Sequence, residues 1–554
     1  MKSLDTAFKE NATIITFDEL EYFTGVKTIP SLAFYGATNL RSINLTNITS
    51  LTNGANFKNA TSLNIVLNMP NYTGAIPYGA FENTAISGIE NLGSTTIIQG
   101  HPNVHVGFKN WGNHVAFRQC TNLKYVNLPS TLTTIQYGAF AGCSQLTEVN
   151  FADKSSINEI GIGAFCDVPI EFDIDFPNLT GTLGYAAFQN TKIKRVLNLG
   201  SVTTIGGTRD GQGPYGTWGG WGAFRNCVEL VDVILPSSLT TIQPLSFYNC
   251  TSLANVNLPS GIANIGNSAF YNCTSLVIEE LRLPNLTTIS DDAFGNVKIK
   301  KWLDMGKITS LTLAGVDKTT LEEIVVPDTI TEIVNGAANN YTNCVVEDLN
   351  LPNLTSIGFG AFRNSKLKRI TSLGSVTSFK NASNNLGDVF ENCTELTYVS
   401  QDVLDKITYL AGAFNGCTGL VIDELTLPSL TGTLTLAFRG CTIKKILDLG
   451  SITNLFPFDG LAYNSYPFGT AVEEYVIPAS VTSIGRYSFN GLKNLKSIKV
   501  LNSTPPVLHS LAFQDNSTSC PIYVPDESVE AYKEATNWLN YASRIKPLSE
   551  YVES

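Results

Sequence analysis

The sequence predicts a mainly β solenoid, in which one short unit of chain winds repeatedly around a common axis. From Leu123 to Cys143 the chain reads Leu-x-x-Val-x-Leu-Pro, then Leu-Thr-x-Ile, then Ala-Phe-x-x-Cys. The segments Leu230–Cys250 and Leu253–Cys273 follow this pattern closely, and their first leucines are 23 residues apart. A strict period of this length is typical of coils that stack on one another.

A phenylalanine or tyrosine marks each coil. The series is Phe34, Phe57, Phe81, Phe117, Phe140, Phe165, Phe188, Phe224, Phe247, Phe270, Phe294, Tyr341, Phe362, Phe390, Phe414, Phe438, Phe468, Phe489 and Phe513. Most neighbours in the series are 21 to 25 residues apart, and the wider gaps indicate a degenerate coil or an insertion. We therefore expect a solenoid of about twenty turns over residues 29–502.

Each coil is expected to contribute two short strands. The Leu-x-x-Val-x-Leu segment alternates apolar positions, as a half-buried strand does. Prolines such as Pro129 and Pro236 end this strand, because proline cannot donate to the ladder. A second strand follows at Leu-Thr-x-Ile, and the Ala-Phe segment turns the chain, in some coils with one helical turn. Strands of successive coils then pair in parallel along a long sheet.

Residues 1–28 are predicted to form a helical N-terminal cap, which covers the apolar end of the solenoid. Thr16 and Glu19 have the spacing of a capping box. A helix should therefore begin after Thr16 and stop at Gly25.

Residues 503–554 are predicted to form a small α/β C-terminal cap. Pro521–Pro525 alternates apolar residues between two prolines, which indicates one edge strand. Ser528 should then cap a helix that runs through Trp538.

The composition argues against several classes of function. Only 15% of the residues are charged and the net charge is −11 at pH 7, whereas nucleic acid and anionic membranes require a basic surface. No apolar run approaches the roughly 18 residues of a membrane span. Met1–Asp5 contains no hydrophobic segment, so no signal peptide is expected there. The low charged content, with asparagine, threonine, serine and glycine in its place, is nevertheless typical of an extracellular protein. We therefore expect a mature, secreted or surface-exposed domain whose export signal has been removed. A cytoplasmic protein is the alternative.

The eleven cysteines favour free thiols over a disulfide framework. Nine of them lie three residues after a marker ring: Cys120, Cys143, Cys227, Cys250, Cys273, Cys344, Cys393, Cys417 and Cys441. Other coils place alanine, threonine or valine there, as expected of a slot for a small side chain. Neighbouring coils, about 4.8 Å apart, could in principle be bridged, but a run of three cysteines cannot pair completely. Cys166 and Cys520 lie outside the pattern.

A second repeat pattern, here called the second rhythm, is superimposed on the 23-residue repeat. Five coils begin at a proline and reach a glycine 22 or 23 residues later, as from Pro177 to Gly200. Four of them carry basic residues shortly before the glycine: Lys192, Lys194 and Arg195; Lys298, Lys300 and Lys301; Lys366, Lys368 and Arg369; Lys444 and Lys445. We favour edge strands kept soluble by lysine. The alternative is an array of anchor points for an acidic polymer.

Two glycine-rich loops, Gln99–Val115 and Gly206–Gly222, are the candidate binding sites. Trp111 and Trp218 each follow a glycine of the second rhythm by 18 residues, so the loops are equivalent insertions 107 residues apart. The candidate ligand-binding residues are Trp111, Trp218, Trp221, Tyr215, Arg209 and Asp210. Exposed rings suit stacking on a sugar or filling a pocket of a partner. The alternative is that they fold back over a neighbouring coil.

Metal binding and catalysis find little support. His101, His105 and His114 fall within fourteen residues, but their spacing on a glycine-rich loop matches no recognised ligand set. We therefore predict no metal and no other cofactor. The chain has four histidines in all and no Gly-x-Ser-x-Gly nucleophile elbow, so we predict that it is not an enzyme.

The repeats resemble the leucine-rich repeats of the BspA-like family of bacterial surface proteins. The Leu-Pro-x-x-Leu-Thr-x-Ile and Ala-Phe-x-x-Cys segments carry this resemblance over nearly the whole chain. It implies an adhesion protein that binds a host matrix protein or another cell through many weak contacts along its coils. We expect the protein to be a monomer. A glycan-binding accessory protein that uses the aromatic loops is the second hypothesis, and an enzyme with a loop-borne site is the third.

Overall fold

The computed structural model describes residues 4–100, 115–208, 220–290, 292–311, 320–333, 345–379, 388–432, 434, 436–455 and 468–553. The chain divides into two compact units. The N-terminal unit comprises residues 1–299 with 315–317, and the C-terminal unit comprises residues 300–314 with 318–554. Both units consist of stacked coils of short parallel strands, which confirms the predicted β solenoid.

The coils of the N-terminal unit contribute strands to two series. The first series comes from the Leu-x-x-Val-x-Leu segments: Thr16–Phe17, Ser42–Ile43, Val66–Asn68, Gly88–Asn91, Tyr125–Leu128, Glu148–Phe151, Ile174–Asp175, Arg195–Asn198, Asp232–Ile234, Asn255–Asn257 and Val277–Arg282. The second series comes from the Leu-Thr-x-Ile segments: Thr28–Ile29, Ser50–Leu51, Thr73–Ile76, Ser94–Ile98, Thr134–Ile135, Glu159–Ile160, Thr180–Leu183, Ser201–Ile205, Thr241–Ile242, Asn264–Ile265 and Thr288–Ile289. A short hairpin of Gly207–Thr208 and Trp221–Gly222 stands apart from both.

The C-terminal unit repeats this arrangement. Its first series starts with Lys298–Asp304, whose first two residues belong to the N-terminal unit. The series continues with Glu323–Ile324, Val345–Asn350, Lys366–Ser372, Tyr398–Val399, Val421–Thr426, Thr442–Asp448, Glu474–Ile477, Ser497–Val500, Ile522–Val524 and Ile545–Pro547. Its second series is Ser310–Leu311, Glu332–Ile333, Ser356–Ile357, Asn454–Leu455, Ser483–Ile484 and Val507–Leu508.

Strands of successive coils pair in parallel in both units. Val126 lies opposite Val149 in the N-terminal unit, and Tyr475 lies opposite Ile498 in the C-terminal unit. All four side chains are buried. The register therefore places the same apolar position of each coil above that of the coil before it.

Helices are short in the described part of the chain. The α-helices are α1, Gln401–Lys406, and α2, Val529–Glu534. The 3₁₀ helices are Thr6–Phe8, Asp18–Tyr22, Lys154–Ser156, Asp526–Ser528, Trp538–Arg544 and Leu548–Glu550. No described helix is both long and apolar enough to cross a lipid bilayer.

The marker phenylalanines form stacks in the core of each unit. Phe247 lies between Phe224 and Phe270, with ring centroids 5.2 and 5.1 Å away and nearly parallel planes. In the C-terminal unit Phe414 stacks on the equivalent rings of its two neighbouring coils at 5.4 and 5.3 Å. Coils that repeat at about one strand spacing place identical rings at stacking distance. At the N-terminus Phe8 extends the stack, 5.2 Å from the ring of Phe34.

The first described residues include the short 3₁₀ helices Thr6–Phe8 and Asp18–Tyr22, but the predicted capping box is wrong. Thr16 belongs to a strand that pairs in parallel with Ser42–Ile43 of the next coil. The residue before the 3₁₀ helix Asp18–Tyr22 is Phe17, and no side chain caps that helix. Pairing with the next coil keeps Thr16 in the ladder, and this longer-range contact outweighs the local helix signal.

The strand predicted at the C-terminus is present as Ile522–Val524, but it is not an edge strand. It pairs with Ser497–Val500 on one side and with Ile545–Pro547 on the other. The chain returns after α2 to add this last strand, a contact between residues 23 positions apart that local pattern does not reveal.

The helix predicted to follow Ser528 is shorter than expected. It ends at Glu534, and a separate 3₁₀ helix begins at Trp538. The hydroxyl of Ser528 donates to the carbonyl of Ser503 at 2.7 Å and does not cap α2.

The ten described cysteines are free, buried thiols, as predicted, and Cys344 lies outside the described residues. The thiols of the repeat cysteines also donate hydrogen bonds to the backbone. Cys143 Sγ donates to the carbonyl of Phe117 at 3.1 Å, and Cys417 Sγ donates to that of Phe390 at 3.1 Å. The cysteine therefore links its coil by a hydrogen bond to the marker residue of the preceding coil. Burial also raises the pKa of the Cys227 thiol to about 12.

Candidate binding surface on the first-series sheet

A groove of about 700 Å³ lies on the outer face of the first-series sheet in the N-terminal unit. Its walls come from the strands Arg195–Asn198, Asp232–Ile234, Asn255–Asn257 and Val277–Arg282. Leu197, Ile234 and Val277 line the groove and are 37%, 51% and 42% exposed. Aliphatic side chains gathered in one solvent-accessible depression are typical of an interaction site.

The parallel register explains why these side chains meet. Val196 and Val233 lie opposite one another and point into the core. The residues that follow them, Leu197 and Ile234, therefore point outward side by side, because successive side chains alternate between the two faces of a strand. Asn257 lies opposite Ile234 in the next coil and continues this row.

A polar row borders the aliphatic one. Arg195 lies opposite Asp232, which lies opposite Asn255. The amide of Asn255 donates to Asp232 Oδ1 at 2.6 Å, and the guanidinium of Arg195 pairs with Asp173. Its hydrogen bond and charge attraction to Asp173 raise the pKa of Arg195. The groove therefore has one aliphatic row and one charged row on adjacent outward positions.

The sequence analysis missed this groove. The sequence does contain an indication of the groove. Leu197 and Ile234 are apolar, yet they occupy outward strand positions where a solvated sheet face usually carries polar side chains. The groove became visible only when the register placed strands from separate coils beside one another, with Arg195 opposite Asp232, 37 residues further along.

The edge-strand interpretation of the lysine clusters is wrong. Strand Lys366–Ser372 lies between Val345–Asn350 and Tyr398–Val399, and strand Thr442–Asp448 lies between Val421–Thr426 and Glu474–Ile477. These are inner strands, so their lysines do not protect a free edge.

In the C-terminal unit the lysines form ion pairs across the sheet. The pairs with their N–O distances are Lys301–Glu323 at 3.4 Å, Lys368–Glu347 at 2.8 Å, Lys444–Asp423 at 2.7 Å, Lys445–Glu424 at 3.7 Å, Lys445–Glu474 at 3.8 Å and Lys496–Glu473 at 2.6 Å. Opposite charges on neighbouring strands favour this register. The carboxylates of these pairs also neutralise the lysine charges on which the binding of an acidic polymer would depend.

Most of the predicted ligand-binding residues lie outside the described residues: Trp111, Trp218, Tyr215, Arg209 and Asp210, together with the weak metal candidates His101, His105 and His114. Trp221 is described and is partly buried. Together with Tyr185 it packs against a small core cluster that includes Ala141 and Cys166. Trp221 does not line the groove.

The two loops leave the solenoid in the same way. Gly100 pairs in antiparallel fashion with Val115 at the base of the first loop, and Gly207 pairs likewise with Gly222 at the base of the second. The corresponding residues are 107 positions apart, which confirms that the loops are equivalent insertions.

A buried ionic cluster, also missed by sequence analysis, holds the base of the first loop. Glu82 is 4% exposed, and its carboxylate contacts Lys58 Nζ at 3.1 Å and Arg118 Nη1 at 3.4 Å. The same carboxylate accepts from the backbone N–H of Val115 at 3.3 Å. At the second loop the residue 107 positions after Glu82 is Gln189, so a charged carboxylate is replaced by an amide. Among the described residues, no three His, Cys, Asp or Glu side chains lie close enough to hold a metal ion.

Comparisons with known proteins agree with this architecture. The sequence profile of the family described as BspA type Leucine rich repeat region (6 copies) matches residues 5–102, 113–208, 220–345, 336–457 and 463–545. No curated protein sequence matches the chain significantly.

Solved structures of repeat proteins also match. A leucine-rich repeat protein from Bacteroides ovatus is 19% identical, with a TM-score of 0.29, over 75% of this chain and 90% of that one. One from Eubacterium ventriosum is 16% identical, with a TM-score of 0.24, over 80% and 89%. A leucine rich cell surface protein from Faecalibacterium prausnitzii is 19% identical, with a TM-score of 0.22, over 68% and 79%.

Stacked coils with a parallel sheet and a marker ring in each turn define a leucine-rich repeat protein. Because the family profile matches most of its length, the chain belongs to the family of BspA type leucine-rich repeat regions.

Proposed function

We propose that this protein is a non-catalytic binding protein, acting at or beyond the cell surface, that holds a protein partner on the outer sheet face of its N-terminal unit. The groove carries this proposal. Three exposed aliphatic side chains, Leu197, Ile234 and Val277, meet in one depression, where burial by a partner would remove them from water.

Solenoids commonly use such extended sheet surfaces for binding, because repetition presents many equivalent positions in register. The groove is lined by aliphatic, asparagine and charged side chains, a mixture that suits an apolar centre with a polar border. The low charged content of 15% and the resemblance to a family of bacterial surface proteins support a location outside the cell. Avidity along the coils would add to the contacts in the groove.

The two inserted loops are proposed to add local specificity, through Trp111, Trp218 and the residues between Arg209 and Trp221. Their common exit from the solenoid supports a shared role. The packing of Trp221 on the coil favours the alternative for that one ring, namely that it covers the core.

The test is binding to a panel of purified host matrix proteins, bacterial surface proteins and glycans, measured by biolayer interferometry. Ile234→Lys should weaken binding of a protein partner by at least about tenfold, because it places a charge in the apolar centre. Val325→Lys is the matched control. Val325 is 48% exposed and follows the inward Ile324 in the C-terminal unit, as Ile234 follows Val233.

Equal binding by the Ile234→Lys and Val325→Lys proteins would contradict the groove as the binding surface. A triple variant with phenylalanine at Trp111, Trp218 and Trp221 tests the loops. If only glycans bind, and only the triple variant loses them, the protein is a glycan-binding one and the proposal is wrong.

A further inference from the structure

One aromatic residue of the chain itself, Tyr551, packs on the outer face of the first-series strands. In the C-terminal unit the hydroxyl of Tyr551 donates to Glu474 Oε2 at 3.0 Å. Lys499 Nζ lies 3.4 Å from the centroid of the Tyr551 ring, and Tyr523 contacts that ring edge to face at 5.3 Å. The contacts of Tyr551 show what the outer face of these strands can bind. An aromatic ring lies across the strands, and its hydroxyl donates a hydrogen bond to a carboxylate.

The carboxylate of this arrangement has a counterpart in the groove. Glu474 directly precedes the inward Tyr475 in its strand, and Asp232 directly precedes the inward Val233. Both carboxylates lie opposite a basic residue of the preceding coil, Lys445 for Glu474 and Arg195 for Asp232.

The neighbouring outward positions differ in a way that makes the groove more apolar. Val476 lies opposite Lys499 in the C-terminal unit, whereas Ile234 lies opposite Asn257 in the N-terminal unit. Leu197 and Ile234 lie side by side in the groove. An aromatic ring would therefore pack on aliphatic side chains there, whereas the ring of Tyr551 packs against the ammonium group of Lys499.

The charges of the groove indicate the sign of its partner. One basic side chain, Arg195, and three acidic ones, Asp232, Glu279 and Glu280, line it. Arg195 pairs with Asp173, and Glu280 pairs with Arg282 at 3.5 Å. With these two partners counted, the balance is still two negative charges. A cationic segment would therefore be attracted and an anionic one repelled.

We propose that the groove binds an extended segment of a protein partner that carries a tyrosine next to a lysine or arginine. The tyrosine ring lies on Leu197 and Ile234 and its hydroxyl donates to Asp232. The basic side chain faces Glu280, where it competes with the exposed Arg282 that pairs with this carboxylate at 3.5 Å. The three strands Arg195–Asn198, Asp232–Ile234 and Asn255–Asn257 pair with one another and, at about 4.8 Å spacing, span roughly 10 Å. About three extended residues cross this distance, and one or two more reach the wall formed by Val277–Arg282. This inference rests on the proposed function, since it names the partner of the same surface.

The probe is a fluorescent peptide, Gly-Lys-Val-Tyr-Lys-Gly, whose binding to the full chain is followed by anisotropy. Replacing its tyrosine with phenylalanine should weaken binding at least about tenfold, the effect of one hydrogen bond to a charged acceptor. Replacing both lysines with glutamate should weaken it by at least about tenfold. In the protein, Asp232→Val should abolish the preference for tyrosine over phenylalanine, and Asp232→Asn should keep part of it.

A matched pair of variants locates the site. Val277→Lys in the groove should reduce peptide binding, because it adds a positive charge that repels the lysines of the peptide. Val421→Lys should not, because Val421 opens the equivalent strand of the C-terminal unit and is 53% exposed there. Thermal unfolding followed by circular dichroism confirms that each variant is folded.

Three outcomes overturn the inference: no peptide binding, equal binding of the tyrosine and phenylalanine peptides, or a loss that follows Glu474→Gln in place of Asp232→Val. In each case the proposed function survives if protein partners still distinguish Ile234→Lys from Val325→Lys. If they do not, the groove itself fails as a binding surface.

Discussion

The two units are built from the same kind of parallel first-series strands, but the outer faces of these strands differ. In the N-terminal unit, outward positions of neighbouring strands hold Leu197 and Ile234, which are exposed and line a groove. In the C-terminal unit, outward positions hold pairs such as Lys445 and Glu474, whose opposite charges meet across the strands. The inward positions are alike in both, so the register and the core do not account for the difference.

This difference shows how a repeat protein separates folding from recognition. Inward positions must repeat, because each coil packs on the one before it. Outward positions are free of that constraint and can carry ion pairs that satisfy each other or apolar side chains that await a partner. A face with compensated charges has little to offer a ligand, whereas an uncovered aliphatic row does.

The largest expected effect tests whether the cores are equivalent. Phe247→Ala in the N-terminal unit and Phe414→Ala in the C-terminal unit should each lower the free energy of unfolding by about 3–5 kcal/mol. Both rings are fully buried and stacked on both sides. Urea unfolding followed by circular dichroism measures the loss, with the exposed Val421→Ala as control at under about 0.5 kcal/mol. Costs that differ by more than about 2 kcal/mol would show that the cores differ too.

The second prediction concerns the aromatic residue seated on the C-terminal face. Burial, together with the neighbouring Glu474, raises the pKa of Tyr551 to about 12 from its ordinary 10.0. A raised folded-state pKa means that the stabilising contact is fully present below pH 10 and is lost as the pH rises towards 12. Carboxypeptidase digestion should therefore release the C-terminal residues faster through this range. A Tyr551→Phe protein, which forms no tyrosinate, should show a flat response, and identical profiles for the two proteins would refute the assignment.

The smallest expected effect distinguishes the two faces by salt. The pair Lys496–Glu473 on the C-terminal face, with side chains 59% and 36% exposed, should show a coupling of about 0.2–1 kcal/mol in a double-mutant cycle. This coupling should vanish near 1 M salt, where the Debye length is about 3 Å. An equivalent cycle for Leu197 and Ile234 should give a coupling of similar size that salt does not weaken. A salt-sensitive coupling there would mean that charge, and not apolar contact, organises the groove.

Local patterns failed where a distant strand competed with them. Thr16 and Glu19 have capping-box spacing, yet Thr16 pairs with Ser42 in the next coil. The lysines of Lys366–Ser372 suggested an edge, yet strands lie on both sides of it and Glu347 of one neighbour pairs with Lys368. In each case the deciding contact joins residues more than twenty positions apart in the chain.

The sequence by itself determined the solenoid, its marker rings and its buried thiols. The reason is that every coil faces the same interior, so the requirement for Phe247 or Cys250 is repeated at each turn and becomes visible as a period. The equivalence of the two loops followed from the same period. Only the tertiary structure decided what the outer face offers, because a groove or an ion pair depends on which side chains the register brings together from different coils. Leu197 and Ile234 become neighbours only once the register places Val196 opposite Val233.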